Sequence, residues 1–299
     1  KANRTKVRDA KLKGLIPDPE RETEWQPATE GRMFMKKLLV SVLIVFAIMV
    51  QPFAAAASNE PVIDTSRIDE GVISVSHTAG QRLKVIVARG DKEVIYDLRN
   101  DGIAETYPLQ LGNGEYTVSV LENTTGNKYR YIKKQTVRLE LEDEKQVFLA
   151  SVQNINWRYD MKAIQKAKEL TAGLKSDSDK IKKIYDYIVN NFTYDYDVLA
   201  SLPTGYVPNI DKILTSGKGI CYDFSSVFAA MLRSQGIPVK LVKGYTTNVE
   251  GYHAWNEVYN SETGEWIVVD TTYDVVIKAA GRAVSMAKET AHYSKVYEY

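Results

Sequence analysis

From about Glu70 to Leu149 apolar and polar residues alternate: Leu83, Val85, Val87; Val94, Tyr96, Leu98; Tyr116, Val118, Val120; Val137, Leu139, Leu141. A period of two puts one face of each segment on a core and the other in water, so roughly six or seven short strands are expected. Asn100-Asp101-Gly102, Gly112-Asn113-Gly114 and Thr125-Gly126-Asn127 place residues that tolerate positive φ between the runs, where the chain must turn. Residues 60–152 are therefore read as an all-β sandwich of immunoglobulin-like kind. His77 in this region is flanked by polar residues and is read as an ordinary strand or surface residue rather than a ligand.

After Asn154-Ile155-Asn156-Trp157 the period becomes helical. Met161, Ile164, Ala167 and Leu170 form one apolar face that Gly173 can end. A second helix starting near Ser176 or Ser178 repeats Ile181, Ile184, Tyr185, Ile188 and Phe192, with Asp177 and Asp179 placed where the helix dipole favours anions. A loop with Pro203, Gly205 and Pro208 leads to a short helical piece, Ile210 to Leu214. Phe224, Val227, Phe228, Met231 and Leu232 then mark a buried helix that Gly236 and Pro238 end. Three strands follow, Val239 to Tyr245, Tyr252 to Tyr259 and Glu265 to Thr271, the last two joined by a turn at Glu262-Thr263-Gly264. Residues 158–299 thus read as a second, α+β domain. The pattern from Val275 to Tyr299 selects neither helix nor strand.

Composition changes this picture little. Lys and Arg number 39 against 38 Asp and Glu, so no global field draws the chain to nucleic acid. Ahead of both domains, Met35-Lys36-Lys37, the apolar run Leu38 to Val50 and Ala54-Ala55-Ala56-Ala57 have the three parts of a secretory signal over residues 35–57, with cleavage after Ala57. The run is short for a membrane span, which needs roughly 20 apolar residues. Membrane association is expected only if this segment stays uncleaved, and the location is extracellular or at the cell surface. Residues 1–34 are dominated by charge and read as a disordered extension or a misplaced start.

Against export, one number stands out: the chain has a single cysteine, Cys221. In an oxidising compartment a thiol without a partner points to chemistry or to an intermolecular bond. Cys221 opens the buried helix, where unpaired N–H groups and positive potential favour a thiolate. Gly217 and Gly219 just before it allow an unusual backbone and keep side chains from the sulfur. Downstream, His253, Trp255 and Glu257 share one face of a strand, and Trp266, Val268 and Asp270 share one face of the next. Cysteine, imidazole and carboxylate supply a nucleophile, a base and an orienting group. Metal sites are disfavoured, since one Cys and three separated His lack ligand spacing. Gly217-Lys218 lacks the upstream glycine of a phosphate loop. No cofactor is expected.

In order, the chain carries Gly-Lys-Gly-Ile-Cys-Tyr-Asp (217–223), Met-Leu-Arg-Ser-Gln-Gly-Ile-Pro-Val-Lys (231–240), Tyr-His-Ala-Trp-Asn-Glu-Val-Tyr (252–259) and Trp-Ile-Val-Val-Asp-Thr-Thr-Tyr-Asp (266–274). Together these motifs resemble the core of the transglutaminase-like superfamily of cysteine enzymes, with its papain-like fold, over about Asp160 to Asp274. The resemblance implies Cys221 as nucleophile, His253 as its proton partner and Asp270 as the residue that fixes the imidazole. It implies an acyl-enzyme chemistry on amide bonds of proteins or cell-wall peptides, with hydrolysis preferred to cross-linking. The backbone N–H of Cys221 is the natural first oxyanion donor. Animal transglutaminases use a tryptophan upstream of the cysteine as the second, and no tryptophan lies between Trp157 and Cys221. Tyr206 could replace it, with Tyr194 and Tyr196 equally available. Trp255 is read as a substrate-pocket wall. The alternative is a non-catalytic surface binding protein that keeps the fold as a scaffold.

Overall fold

The structure is a computed structural model that describes residues 60–199 and 201–299. The expected extension 1–34 and signal segment 35–57 lie outside the described residues.

The N-terminal region is β-rich. Strands β1 (Val62–Asp64), β2 (Val72–Ser76) and β5 (Glu105–Pro108) form one antiparallel sheet in the order β1-β2-β5. Strands β3 (Leu83–Arg89), β4 (Lys92–Leu98), β6 (Gly114–Thr125) and β7 (Lys128–Leu139) form another, ordered β4-β3-β6-β7. The alternating residues that announced these strands are the buried ones: Val85, Val87, Val118 and Val120 face the same core as Val72 and Val75 of the other sheet.

The helical positions follow their sequence signals. Helix α1 is Lys162–Thr171 and α2 is Asp177–Asn191, started by Ser176, whose side chain accepts the Asp179 N–H. Helix α3 is Tyr196–Leu199. Helix α4 is Ile210–Ser216, started by Asn209, whose side chain accepts the Lys212 N–H. Such caps satisfy N–H groups that have no partner inside the helix. Two-residue strands β8 (Thr193–Tyr194) and β9 (Lys218–Gly219) pair in parallel and lead to α5, Cys221–Arg233.

Every residue of α5 is buried. It packs against α1, α2 and α4 and against β10 (Val239–Thr246) and β11 (Val249–Asn260). Burying a side chain such as Phe224 or Phe228 contributes about 1.5–3 kcal/mol, which fixes the helix and therefore its first residue. Strands β10 and β11 belong to a five-stranded sheet ordered β13-β12-β11-β10-β14, with β12 at Glu265–Val269, β13 at Ala287–Lys288 and β14 at Tyr293–Glu298. Helix α6, Thr271–Ala279, follows β12. The stretch after Val275 is thus first helix and then two strands that extend the sheet on opposite edges.

The two regions share one hydrophobic core running from Ile63 to Tyr299. Arg233 ties them together. Its buried guanidinium donates to the carbonyls of Ala150 (2.7 Å), Val239 (2.7 and 2.9 Å) and Tyr299 (2.9 Å). Burial pulls its pKa down to about 9, with the Tyr96 phenol acting the other way. Replacement by Met keeps much of the volume but takes a donor from each of these carbonyls; the Tyr299 carbonyl still accepts the Leu241 N–H at 3.1 Å, and a buried carbonyl left unpaired is a penalty of about 1–3 kcal/mol. Arg233→Met is expected to lower the unfolding free energy by about 2–4 kcal/mol, measured by urea titration. Among the described residues no helix is long and apolar enough to cross a membrane.

Candidate active site

Cys221 is the first residue of α5 and is fully buried. The chain reaches it through two glycines with different jobs. Gly217, at φ +61°, ends α4 in the left-handed region. Gly219 has no such φ; a Cβ there would lie 2.8 Å from the Cβ of Asp223, so only glycine lets the chain pass this close. Asp223 fastens the helix start, with Oδ2 accepting the Ile220 N–H at 3.0 Å and Oδ1 accepting the Tyr206 hydroxyl at 2.6 Å. Burial pushes its carboxyl above the ordinary carboxylate value, and these two hydrogen bonds act against that.

His253 lies on β11 opposite Gly244 of β10. Its Nε2 is 2.9 Å from Oδ2 of Asp270, and both side chains are fully buried. The remaining ring nitrogen, Nδ1, has no hydrogen-bond partner and is the atom left for the neighbouring Cys221 thiol. Asp270 differs from its expected place. It is not a strand residue, because β12 stops at Val269; it is the N-cap of α6, and its Oδ1 accepts the Tyr273 N–H at 2.9 Å. Its Oδ2 also accepts the Tyr293 hydroxyl at 3.0 Å. Burial pushes the carboxyl up, but the imidazole, the Tyr273 N–H and the Tyr293 hydroxyl outweigh it and hold Asp270 below the ordinary value.

Burial alone would lower the imidazole pKa; the charges of Asp270 and Cys221, with the hydrogen bond to Asp270, raise it to about 10. A histidine raised from about 6.5 contributes stability that is full below the unfolded value and is lost as pH rises through 10. Lys243 and Arg233, both depressed by burial, act with the opposite sign in the alkaline range. The difference in melting temperature between wild type and His253→Gln is therefore expected to shrink from pH 7 to pH 10. A calorimetric pH series checks this, and a constant difference would contradict the imidazole's place.

Trp255, expected as a pocket wall, is 1% exposed. Its ring lies 6.3 Å from the imidazole at 24° and is covered by Tyr293 at 5.0 Å and by Val242 and Val268. It is packing beside His253, enclosed because β14 adds to the sheet edge. Tyr206 is likewise taken up elsewhere, its hydroxyl being donated to Asp223. The tyrosine whose phenol feels the Cys221 charge is Tyr194, raised by burial first and by Cys221 second. The β8–β9 pairing sets Tyr194 against Gly219, two residues before the thiol.

One cation near the thiol had no sequence signal. The Lys243 ammonium stands 3.6 Å over the Tyr222 ring and 5.2 Å from that of Tyr299. Burial pulls its pKa down to about 8, and the charges of Cys221 and Asp97 act against that. Among the described residues no group of three or more His, Cys, Asp and Glu could hold a metal ion.

Residues 164–271 match the model of the transglutaminase-like superfamily. Two relatives match part of the chain: the uncharacterized protein YebA of Bacillus subtilis, 36% identical over 112 residues, and the uncharacterized protein ML0607 of Mycobacterium leprae, 32% identical over 101. The matches take in 31% and 28% of this chain but only 15% and 35% of those proteins. Solved structures similar to the chain include the periplasmic domain of TgpA from Pseudomonas aeruginosa, at 17% identity and TM-score 0.36, covering 70% of this chain and 74% of that one. Another is red sea bream transglutaminase, at 15% identity and TM-score 0.31, covering 67% and 48%. Over residues 164–271, then, the chain is similar to the transglutaminase-like superfamily.

Proposed function

We propose that the protein is an exported cysteine enzyme that cleaves, or transfers acyl groups from, amide bonds of proteins or cell-wall peptides through a thioester on Cys221, with hydrolysis preferred. The observation that carries this reading is the arrangement around His253: Nε2 is held by Asp270, and Nδ1 is left for the only thiol of the chain.

In the proposed reaction the Cys221 proton passes to His253 Nδ1, and the thiolate sulfur attacks the amide carbonyl carbon. The carbonyl oxygen gains the electron pair and meets the Cys221 backbone N–H, with Tyr194 as second donor. Collapse of the intermediate breaks the C–N bond as the imidazolium returns its proton to the leaving amine. Water, deprotonated by His253, then splits the thioester and frees the acid. A primary amine in place of water would give a new amide. The Asp270 carboxylate fixes the ring and stabilises its charged form.

Mass spectrometry of candidate proteins and muropeptides, incubated with and without a primary amine, tests the assignment. Hydrolysed amides in both conditions are expected. Amine adducts at glutamine would replace hydrolysis by transamidation.

A second reading, a binding protein whose N-terminal β-sandwich recognises a surface while the core is a scaffold, is favoured by one observation: Cys221 and His253 are fully buried. Under that reading Cys221→Ala leaves every phenotype and every binding constant unchanged.

A further inference from the structure

The superfamily match ends at residue 271, yet the one side-chain hydroxyl on the Asp270 carboxylate comes from 22 residues beyond it, at Tyr293. We propose that Tyr293, the first residue of β14, is a positioning residue for the Asp270–His253 pair: its hydroxyl shares the carboxylate oxygen that binds the imidazole, orienting Asp270 and dividing the charge it presents to His253.

Three donors fix this carboxylate. Oδ1 takes the Tyr273 N–H at 2.9 Å, and Oδ2 takes both His253 Nε2 at 2.9 Å and the Tyr293 hydroxyl at 3.0 Å. The direction of the Tyr293 bond is set from its other side, where Asn248 Nδ2 donates to the phenol oxygen at 3.3 Å, leaving the O–H for Asp270. Burial, and then the Asp270 charge, raise the Tyr293 pKa, so the phenol stays a donor. Its ring packs on Trp255, itself set against the imidazole.

The segment is held in place by several devices. The Thr247 N–H donates to the His292 carbonyl at 3.0 Å. Gly244, opposite His253, admits β14: a Cβ there would lie 2.1 Å from the Ser294 carbonyl oxygen. One helical turn past Asp270, Asp274 receives Lys288 from β13 on both oxygens at 2.6 Å and the Tyr185 hydroxyl at 2.7 Å. The edge strands of the sheet thus anchor the first turn of α6 at two carboxylates.

Resting on the reaction proposed above, the consequence is chemical. The imidazolium must release a proton from Nδ1 to the leaving amine, and a carboxylate with its full charge on Nε2–H would make it a weaker acid. Tyr293 lessens that hold while keeping the plane of the carboxylate fixed.

The test needs no amide substrate. Two donors compete for one oxygen, so loss of one shortens the other. In Tyr293→Phe the low-field proton resonance of His253 Nε2–H is expected to move further downfield. Iodoacetamide labelling of Cys221, read by intact mass on this only cysteine, is expected to be at least as fast as in wild type. Incorporation of 3-fluorotyrosine at position 293, a stronger donor in the same shape, is expected to move the resonance upfield even should the phenylalanine variant fail to fold. A resonance that stays in place with both changes overturns the proposal. So does labelling of folded Tyr293→Phe slowed by roughly tenfold, the loss expected when a hydrogen bond to a charged group holds the whole site together. If no amide is ever cleaved, the proposed reaction falls while the shared hydrogen bond is still tested.

Discussion

Cys221→Ala is expected to lower amide cleavage by roughly 10⁴-fold or more, because no other side chain can form the thioester. The chain offers no substitute thiol, and the serine nearest in the helix, Ser225, is one turn into α5 and buried. The fold should hardly notice. The change removes one sulfur from a buried position, at about 1 kcal/mol, while the Asp223 bond to the Ile220 N–H that starts α5 is untouched. Thermal unfolding near the wild-type midpoint together with lost turnover is the expected pair of results. Lost turnover with a collapsed fold would leave a purely structural role for the thiol.

Asp270 allows function and stability to be separated in one position, since its two oxygens do different work. Oδ1 caps α6 through the Tyr273 N–H, and Oδ2 holds the imidazole. Asn caps a helix about as well as Asp, whereas Ala forfeits about 0.5–2 kcal/mol at such a site. Asp270→Asn is therefore expected to keep much of the cap and yet lower kcat by roughly 10³–10⁴-fold, since an amide cannot stabilise the imidazolium or hold the productive tautomer. Asp270→Ala is expected to lose the same activity and also the cap. Denaturant titrations and steady-state kinetics on both variants check this. Equal stability of the two would contradict the capping role, and an active Asp270→Asn would contradict the orienting role.

What the sequence reveals and hides around this site follows from how far apart the partners are. Helix α5 is legible because its contacts repeat locally: Phe224, Val227, Phe228, Met231 and Leu232 mark a face, and all of them are buried. The apolar run Ile267 to Val269 is strand and nothing in its pattern marks where it stops, so the expected strand, drawn to Thr271, runs two residues past its end at Val269 and into the cap and first residue of α6. Tyr194 is set against Gly219, two residues before the thiol, through a two-residue parallel pairing for which no periodicity exists. Lys243 and Tyr293 arrive through strand register, which is set by partners tens of residues away. β14 hides for a further reason: as an edge strand it is largely exposed or half-exposed and has no alternation to read. Trp255 shows the same effect in reverse, since a sequence cannot tell that a later strand will cover it.

The most direct test of the account is to trap the acyl-enzyme. Wild-type protein mixed with muropeptides or a protein digest, quenched in acid within the first turnover and mapped by mass spectrometry, is predicted to carry an acyl mass on the peptide containing Cys221, released by hydroxylamine and absent from His253→Ala. Amide cleavage that continues unchanged in Cys221→Ala, with no acyl mass on the wild-type cysteine, would contradict it.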